Sequence, residues 1–385
     1  MKVGIVTHYY NSTNYGACLQ AYALCKVLEE LGAEPEQIRI DYAEDCRNLL
    51  DPLEPVKRLI PGKEALKRLL KPGYRRQLAQ KEQYRRALRG AFAHFTDDLT
   101  PHSDRVYTRR TIPGAGERYD AFITGSDQVF NPLWYFPPFF LDFVPAGKPK
   151  LSYAASIAQR ELSPAVKKRY RKHLEGFTAV SLREKSALPL LAEVCPAQWV
   201  LDPTLLLSPE QWNAVAAPRQ VEAPYLFCYF LGDDPHVRQA AADYGKARGL
   251  QVVTVPNAAG MVHRHDGDFG DIRLPDPSPE AFLSLIRHSR FVLTDSFHAS
   301  VFSLIFGREF LAVPRTGHQA MGTRLADLTE LFEVPERFYS REEPVTAETL
   351  AALSPLDSSR PQTKFQTERS RSLAFLRSGL GLTEE

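Results

Sequence analysis

The sequence predicts an α/β protein of two Rossmann-like domains facing a cleft, with a helical insertion in the first domain. Three observations carry this reading. Short apolar, β-rich runs alternate with helical patterns from residue 3 to residue 313, as in a parallel sheet with helical crossovers. At 385 residues the chain exceeds the length over which a single core keeps growing. Polar loops follow directly on several apolar runs, and open α/β sheets bind ligands at such strand ends.

Val3 to Thr7 reads as the first strand, the turn-prone stretch Tyr10 to Gly16 follows, and a helical pattern runs from Ala17 to Leu31. Leu19, Ala23, Leu24, Val27, Leu28 and Leu31 recur at spacings of three and four and form one apolar face, and Gly32 supplies a stop. A strand from Gln37 to Tyr42 completes a βαβ unit. From about 46–100 the chain turns basic and helical, with Lys67, Arg68, Arg75, Arg76, Arg85 and Arg86 among leucines and tyrosines. This inserted region is either a solvated helical face or a surface for lipid or anionic glycan. Further strands are expected at Tyr119 to Thr124, Lys150 to Ala155 and Ala179 to Leu182.

The first domain is taken over 1–208 as the acceptor side, and the second over 209–345 as the donor side, with the boundary near Pro218 and Pro224. The second half alternates again. Strands are expected at 225–230, 251–255, 291–294 and 310–313, and helices at 237–248, 279–288 and from about Ser300. Within the tail, 346–385, the amphipathic stretch Gln362 to Leu376 is expected to pack back on the first domain.

Hydrophobic residues at 44% and charged residues at 24% exclude disorder and fibrous repeats as the main class. Forty-eight Lys and Arg against 46 acidic residues leave a net charge of +2, which argues against a nucleic-acid partner and makes any anion site local. The five cysteines show no metal-ligand spacing, so neither zinc nor disulfides are expected. The chain opens on a strand pattern without a signal-peptide run or an apolar span, which predicts the cytoplasm.

Four polar loops hold the candidate site. Asn14, Tyr15 and Gly16 open a helix whose free amides suit an anion or a sugar hydroxyl, although an Asn-capped turn reads the same way. Ser126, Asp127 and Gln128 follow a buried strand and suit acceptor binding, with Asp127 as a general base; helix capping is the alternative. Arg183 stands just past a short strand, where its fork could grip a carboxylate or phosphate or simply pair with Glu184. Ser296 and His298 begin an apolar helix whose N-terminus favours an anion that would keep His298 protonated, a general-acid setting, unless Asp295 or Ser296 merely caps the helix. Arg315 and Arg324 add cations at the same sheet edge.

The runs Asn14 to Leu24, Gly125 to Asn131 and Thr294 to His298, with Phe140 to Phe143, Ser152 to Ser156, Ser181 to Glu184 and Leu201 to Thr204, resemble the polysaccharide pyruvyl transferase family in order and spacing. The resemblance implies a fold similar to the two-domain glycosyltransferase type B architecture and transfer of pyruvate from phosphoenolpyruvate to a sugar as a ketal, with neither metal nor cofactor. By motif match, Arg183 and His298 serve the donor, with Arg324 and Arg315 as the downstream basic candidates. It also implies a sugar acceptor in envelope polysaccharide assembly. A lipid-linked acceptor would bring the basic insertion to the inner face of the cytoplasmic membrane. The sequence departs from the pattern at Ala299, where Gly is usual, at Phe130, where Trp is common, and at Ser296, where some members carry Arg. Two other functions stay open at this level: a nucleotide-sugar-dependent glycosyltransferase of the same fold, and a non-catalytic glycan-binding relative.

Overall fold

The structure, a computed structural model, describes residues 1–42, 45–51, 74–256, 263–315, 319–357 and 359–382. Two all-parallel sheets form its two layers of strands. The first has the order β3-β2-β1-β4-β5-β6-β7, with β1 at Lys2–Val6, β2 at Glu34–Ile40, β3 at His102–Tyr107, β4 at Ala121–Thr124, β5 at Lys150–Ala155, β6 at Ala179–Leu182 and β7 at Gln198–Trp199. The second has the order β10-β9-β8-β11-β12, with β8 at Tyr225–Tyr229, β9 at Gln251–Thr254, β10 at Ile272–Arg273, β11 at Phe291–Thr294 and β12 at Phe310–Ala312. This is the two-Rossmann arrangement expected from the alternation of runs. Three short or polar strands, β3, β7 and β10, lay outside that expectation.

Among the described residues, the helices of seven or more residues are α1 (Tyr15–Glu30), α2 (Tyr74–Ala93), α3 (Pro164–Leu174), α4 (Pro209–Val215), α5 (Pro235–Arg248), α6 (Pro279–His288), α7 (Phe297–Ile305), α8 (Gln319–Leu331) and α9 (Ser359–Leu380). Four of them start in one way. Ser163, Ser208, Asp234 and Ser278 each cap a helix whose first residue is proline. The cap oxygen takes a free amide, and the proline occupies a position where its missing N–H costs nothing. α7 begins at Phe297, three residues before the expected Ser300, because Ser296 accepts from the Ala299 amide. Of the basic insertion, 52–73 lie outside the described residues, and α2 is the described helical part. None of the described helices is long and apolar enough to cross a membrane.

In each sheet the chain order reverses once, between β1 and β4 and between β8 and β11. The crevices at such reversals are where open α/β sheets hold ligands. Here they are brought face to face by packing of α1, which follows β1, against α6 and α7, which flank β11. Tyr15 of α1 stacks on Phe282 of α6 at 4.2 Å and donates its hydroxyl to the Pro277 carbonyl at 2.7 Å. Trp212 of α4 lies 5.8 Å from Tyr22 of α1 and 4.9 Å, edge-on, from Phe302 of α7. Burying each such ring stabilises the joint by roughly 1.5–3 kcal/mol. Tyr84 of α2 adds a hydroxyl bond to the Pro256 carbonyl at 2.9 Å. α9 returns to the first sheet, where Ser372 accepts from the Leu201 amide at 3.0 Å and Gly379 lies so close to Leu151 that a Cβ would sit 2.3 Å from its side chain.

Candidate active site

The carboxyl edge of the first sheet supplies a buried cluster around Asp202, the third residue beyond β7. One carboxylate oxygen, Oδ1, accepts from the Thr204 amide at 3.0 Å and from its hydroxyl at 2.6 Å. The other, Oδ2, takes Arg183 Nη1 at 2.9 Å and lies 3.0 Å from Ser126 Oγ. Burial pushes the Asp202 carboxyl up, but His298, Arg183 and Thr204 outweigh it and hold the group far below the ordinary carboxylate range. Asp202 is therefore an anion at any physiological pH.

Arg183 leaves β6 with its carbonyl fixed by Trp199 Nε1 at 2.8 Å and its guanidinium 4.4 Å from the Phe297 ring centroid. Its Nη2 stands 3.7 Å from Asp127 Oδ1 and its Nε 3.7 Å from Glu184 Oε1. Neither nitrogen has a hydrogen-bond partner, although both are buried. Nε and Nη2 form the side of the guanidinium on which two N–H bonds run parallel, the edge that grips carboxylates and phosphates. Burial lowers the pKa of this guanidinium, but Glu184, Asp202 and Asp127 more than restore it. Burial likewise raises Asp127, yet Arg183, His8, His298 and Arg324 together bring it below its usual value. Glu184 goes the other way: burial raises it, and Arg183, Arg324 and its Ser156 hydrogen bond only partly offset the rise.

The second sheet contributes from across the crevice. His298 lies in the first turn of α7, with Nε2 3.6 Å from Asp202 Oδ2 and no hydrogen-bond partner on that nitrogen. Its other ring nitrogen faces Gly16, where an added Cβ would lie 2.0 Å from Nδ1. Only a residue without a side chain lets α1 approach this closely. α8 docks on the first domain through Asp327, which accepts from the Ser186 amide at 3.0 Å and hydroxyl at 2.7 Å. One turn earlier, Arg324 is buried among the same groups. Burial and the neighbouring Arg183 lower its pKa to about 10, against the pull of Glu184 and Asp127.

The structure thus gathers Arg183, His298, Ser126, Asp127 and Arg324 at one place, and it puts other expected residues to other uses. Tyr15 is buried in the interdomain core, so in this structure it packs where acceptor contact was expected. Asn14 caps α1 through the Ala17 amide, and Ser296 caps α7 through that of Ala299. Gln128 accepts from Asn131 Nδ2 at 2.6 Å. Arg315 turns to Asp295, with Nε 3.4 Å from its Oδ2. That carboxylate also accepts from the Leu231 and Gly232 amides, each at 2.7 Å. Arg315 therefore reaches the cluster only through its field on Arg324.

Two members were not singled out from sequence. Asp202 appeared only within a motif, and its signal is an acidic residue followed by Pro203 and Thr204. His8, the second residue after β1, packs its ring 4.4 Å from Phe139 and holds Nδ1 3.0 Å from the Tyr42 hydroxyl. Burial lowers the His8 pKa against the pull of Asp127 and the Gln128 carbonyl, which keeps the imidazole neutral.

Fold and site together define a two-domain α/β protein with a buried cluster of cations and carboxylates between two strand-edge crevices. The polysaccharide pyruvyl transferase family model matches residues 14–317, and the chain belongs to that family. No curated protein matches it in sequence. Among solved structures it resembles S. aureus MnaA, determined with UDP, at 12% identity and a TM-score of 0.51 over 100% of this chain and 98% of that one. It also matches the UDP-GlcNAc 2-epimerase of Neisseria meningitidis, determined with UDP-GlcNAc, at 12% identity and a TM-score of 0.43 over 100% of both chains. A third is the glycosyltransferase SnogD of Streptomyces nogalater, at 14% identity and a TM-score of 0.45 over 99% of both chains. At such identities the likeness to MnaA concerns the fold alone.

Proposed function

We propose that this chain transfers pyruvate from phosphoenolpyruvate to two hydroxyls of a sugar, in a polysaccharide or its lipid-linked precursor, forming a ketal and releasing phosphate. One observation carries the reading. The parallel N–H edge of Arg183 and the Nε2 of His298 are buried and lack hydrogen-bond partners, and the two side chains converge on Asp202 Oδ2 from the two sheets. Buried polar groups of this kind are costly unless a ligand uses them.

Arg183 and Arg324 hold the donor's carboxylate and phosphate. Each guanidinium raises the cost of the other's charge, and an anion between them relieves it. His298 donates a proton to the methylene carbon, the adjacent carbon becomes electrophilic, and the first sugar hydroxyl adds there. The bond to phosphate oxygen then breaks and the second hydroxyl closes the ketal. Of the two hydroxyl protons, one replaces the proton given up by His298 and the other leaves with phosphate. Asp127 orients the acceptor. Held low by its cations, it is a weak base, and the neutral His8 beside it is better matched to take the hydroxyl proton.

The test is phosphate release from phosphoenolpyruvate with galactose, glucose and N-acetylmannosamine acceptors, for the parent chain and for Arg183→Ala and His298→Ala. Acceptor-dependent release that both substitutions lower by about a hundredfold or more supports the reading. Turnover of a nucleotide sugar without such release replaces it with glycosyl transfer, and glycan binding without turnover of either donor replaces it with a binding role.

A further inference from the structure

We infer that Asp202 is a positioning residue that presets the aim of His298 and Arg183 before the donor arrives; the inference rests on the pyruvyl-transfer reading above. Asp202 touches donor-side cations of both domains, Arg183 at 2.9 Å from the first and His298 at 3.6 Å from the second.

The alternative for a carboxylate in this place is that it stands in for the substrate anion and leaves when the donor binds. Its other contacts argue against that. Oδ1 is held twice by Thr204, through the amide and the hydroxyl, and Oδ2 sits within hydrogen-bond distance of Ser126. The Asp202 side chain is fully buried, and the Leu201 amide before it is tied to Ser372 of α9. The carboxylate is fixed by neutral donors of the first domain, independently of either cation, so it stays while they act.

Two consequences follow for the cations. By taking Nη1, Asp202 turns the guanidinium so that its Nε–Nη2 edge is the one left for a ligand. By facing Nε2, it places a fixed negative charge beside the nitrogen that gives up the proton, and so favours the tautomer with hydrogen there. The 3.6 Å separation is longer than a hydrogen bond, and catalytic contacts of this kind commonly tighten only when substrate is bound. Nδ1 cannot take over, because it is packed against the Gly16 backbone.

The experiment is a double-substitution cycle on the full chain, reading phosphate release from phosphoenolpyruvate with the best acceptor. Asp202→Asn keeps shape and loses charge, and kcat is expected to fall by about a hundredfold, within the range for general acid catalysis. In the His298→Gln background the same change is expected to cost less than about threefold in kcat, because residues that work as a unit are not additive, while the share of the role that acts through Arg183 persists as a raised KM for phosphoenolpyruvate. A full hundredfold cost in both backgrounds, or none in the parent background, overturns the inference while the pyruvyl-transfer reading stands. A parent chain that releases no phosphate with any acceptor overturns that reading and this inference with it. If Asp202→Asn does not fold by circular dichroism, Thr204→Val carries the cycle. It frees Oδ1 of one bond, and about a tenfold fall in kcat that vanishes in the His298→Gln background is expected, whereas a fall that persists there overturns the inference.

Discussion

The two strand-edge crevices carry similar residue types and use them differently. On the first sheet, Asp202 binds Arg183 by one nitrogen and leaves the parallel N–H edge without a hydrogen-bond partner. On the second, Asp295 takes Nε of Arg315, the Asp295 carbonyl lies 3.5 Å from its Nη2, and two loop amides complete the carboxylate. The same pairing of Arg with Asp therefore yields a presented cation in one domain and a tied-down one in the other. Which edge of the guanidinium the carboxylate takes decides the outcome.

The largest effect to test that contrast is at Arg183. Arg183→Lys keeps a charge but removes the fork, and a loss of about a thousandfold in kcat/KM for phosphoenolpyruvate is expected where two parallel bonds and orientation both disappear. Arg183→Ala also strands Asp202, Asp127 and Glu184 without their cation. Breaking a buried pair in this way costs about 3–5 kcal/mol, read as a lowered urea midpoint. A Lys variant with near-parental kcat/KM would show that only charge is used there.

Next comes Gly16. An added methyl would stand 2.0 Å from His298 Nδ1, so Gly16→Ala must move the imidazole or part the helices. The expected result is a fall of about a hundredfold in kcat, since misplacement by about 1 Å costs that much, with the circular dichroism spectrum retained. Unchanged kcat would mean that His298 works from another position.

The strands that build both crevices were legible because β1, β4, β6, β8 and β11 are apolar runs between two covered faces, followed at once by polar residues. β3 was not, since its Asp104 and Arg105 are exposed and charged, nor were β7 and β10, which are two residues long. Arg183 and His298 stand out as charged residues directly behind or just beyond such strands. Asp202 follows β7, where no periodicity marks a strand end, and its partners come from β6, from the loop after β4 and from another domain. No local rule reports such a meeting. The burial of Tyr15 was not legible for the converse reason: a polar-tipped ring at a loop–helix junction looks the same in sequence whether it lines a cleft or fills a core.

A smaller effect is expected in the pH dependence of stability. The Asp202 carboxyl is depressed in the folded chain, so its contribution is fully present above the unfolded carboxyl pKa, about 3.9, and is lost progressively as pH falls below it. The gap in urea midpoint between the parent chain and Asp202→Asn should be constant from pH 7 to 5 and narrow below about pH 4, where the unfolded carboxyl begins to take up a proton. A gap that widens on acidification would mean that Asp202 is not held as an anion.

Arg315 should show the smallest effect on catalysis, and its measurement returns to the contrast between the crevices. Its guanidinium is committed to Asp295 and touches the cluster only as a charge near Arg324. Arg315→Ala should raise KM for phosphoenolpyruvate by no more than about tenfold, with kcat within a factor of about two, the behaviour of a group that attracts an anion without touching the transition state. The effect should fade as salt rises from 0.05 to 0.5 M, because a charge acting at a distance is screened and a buried fork is not. Arg183→Lys, measured beside it, should keep its loss at every salt concentration. Equal salt sensitivity in the two variants would erase the distinction between presented and tied-down arginine and would place Arg315 in the donor's first contacts.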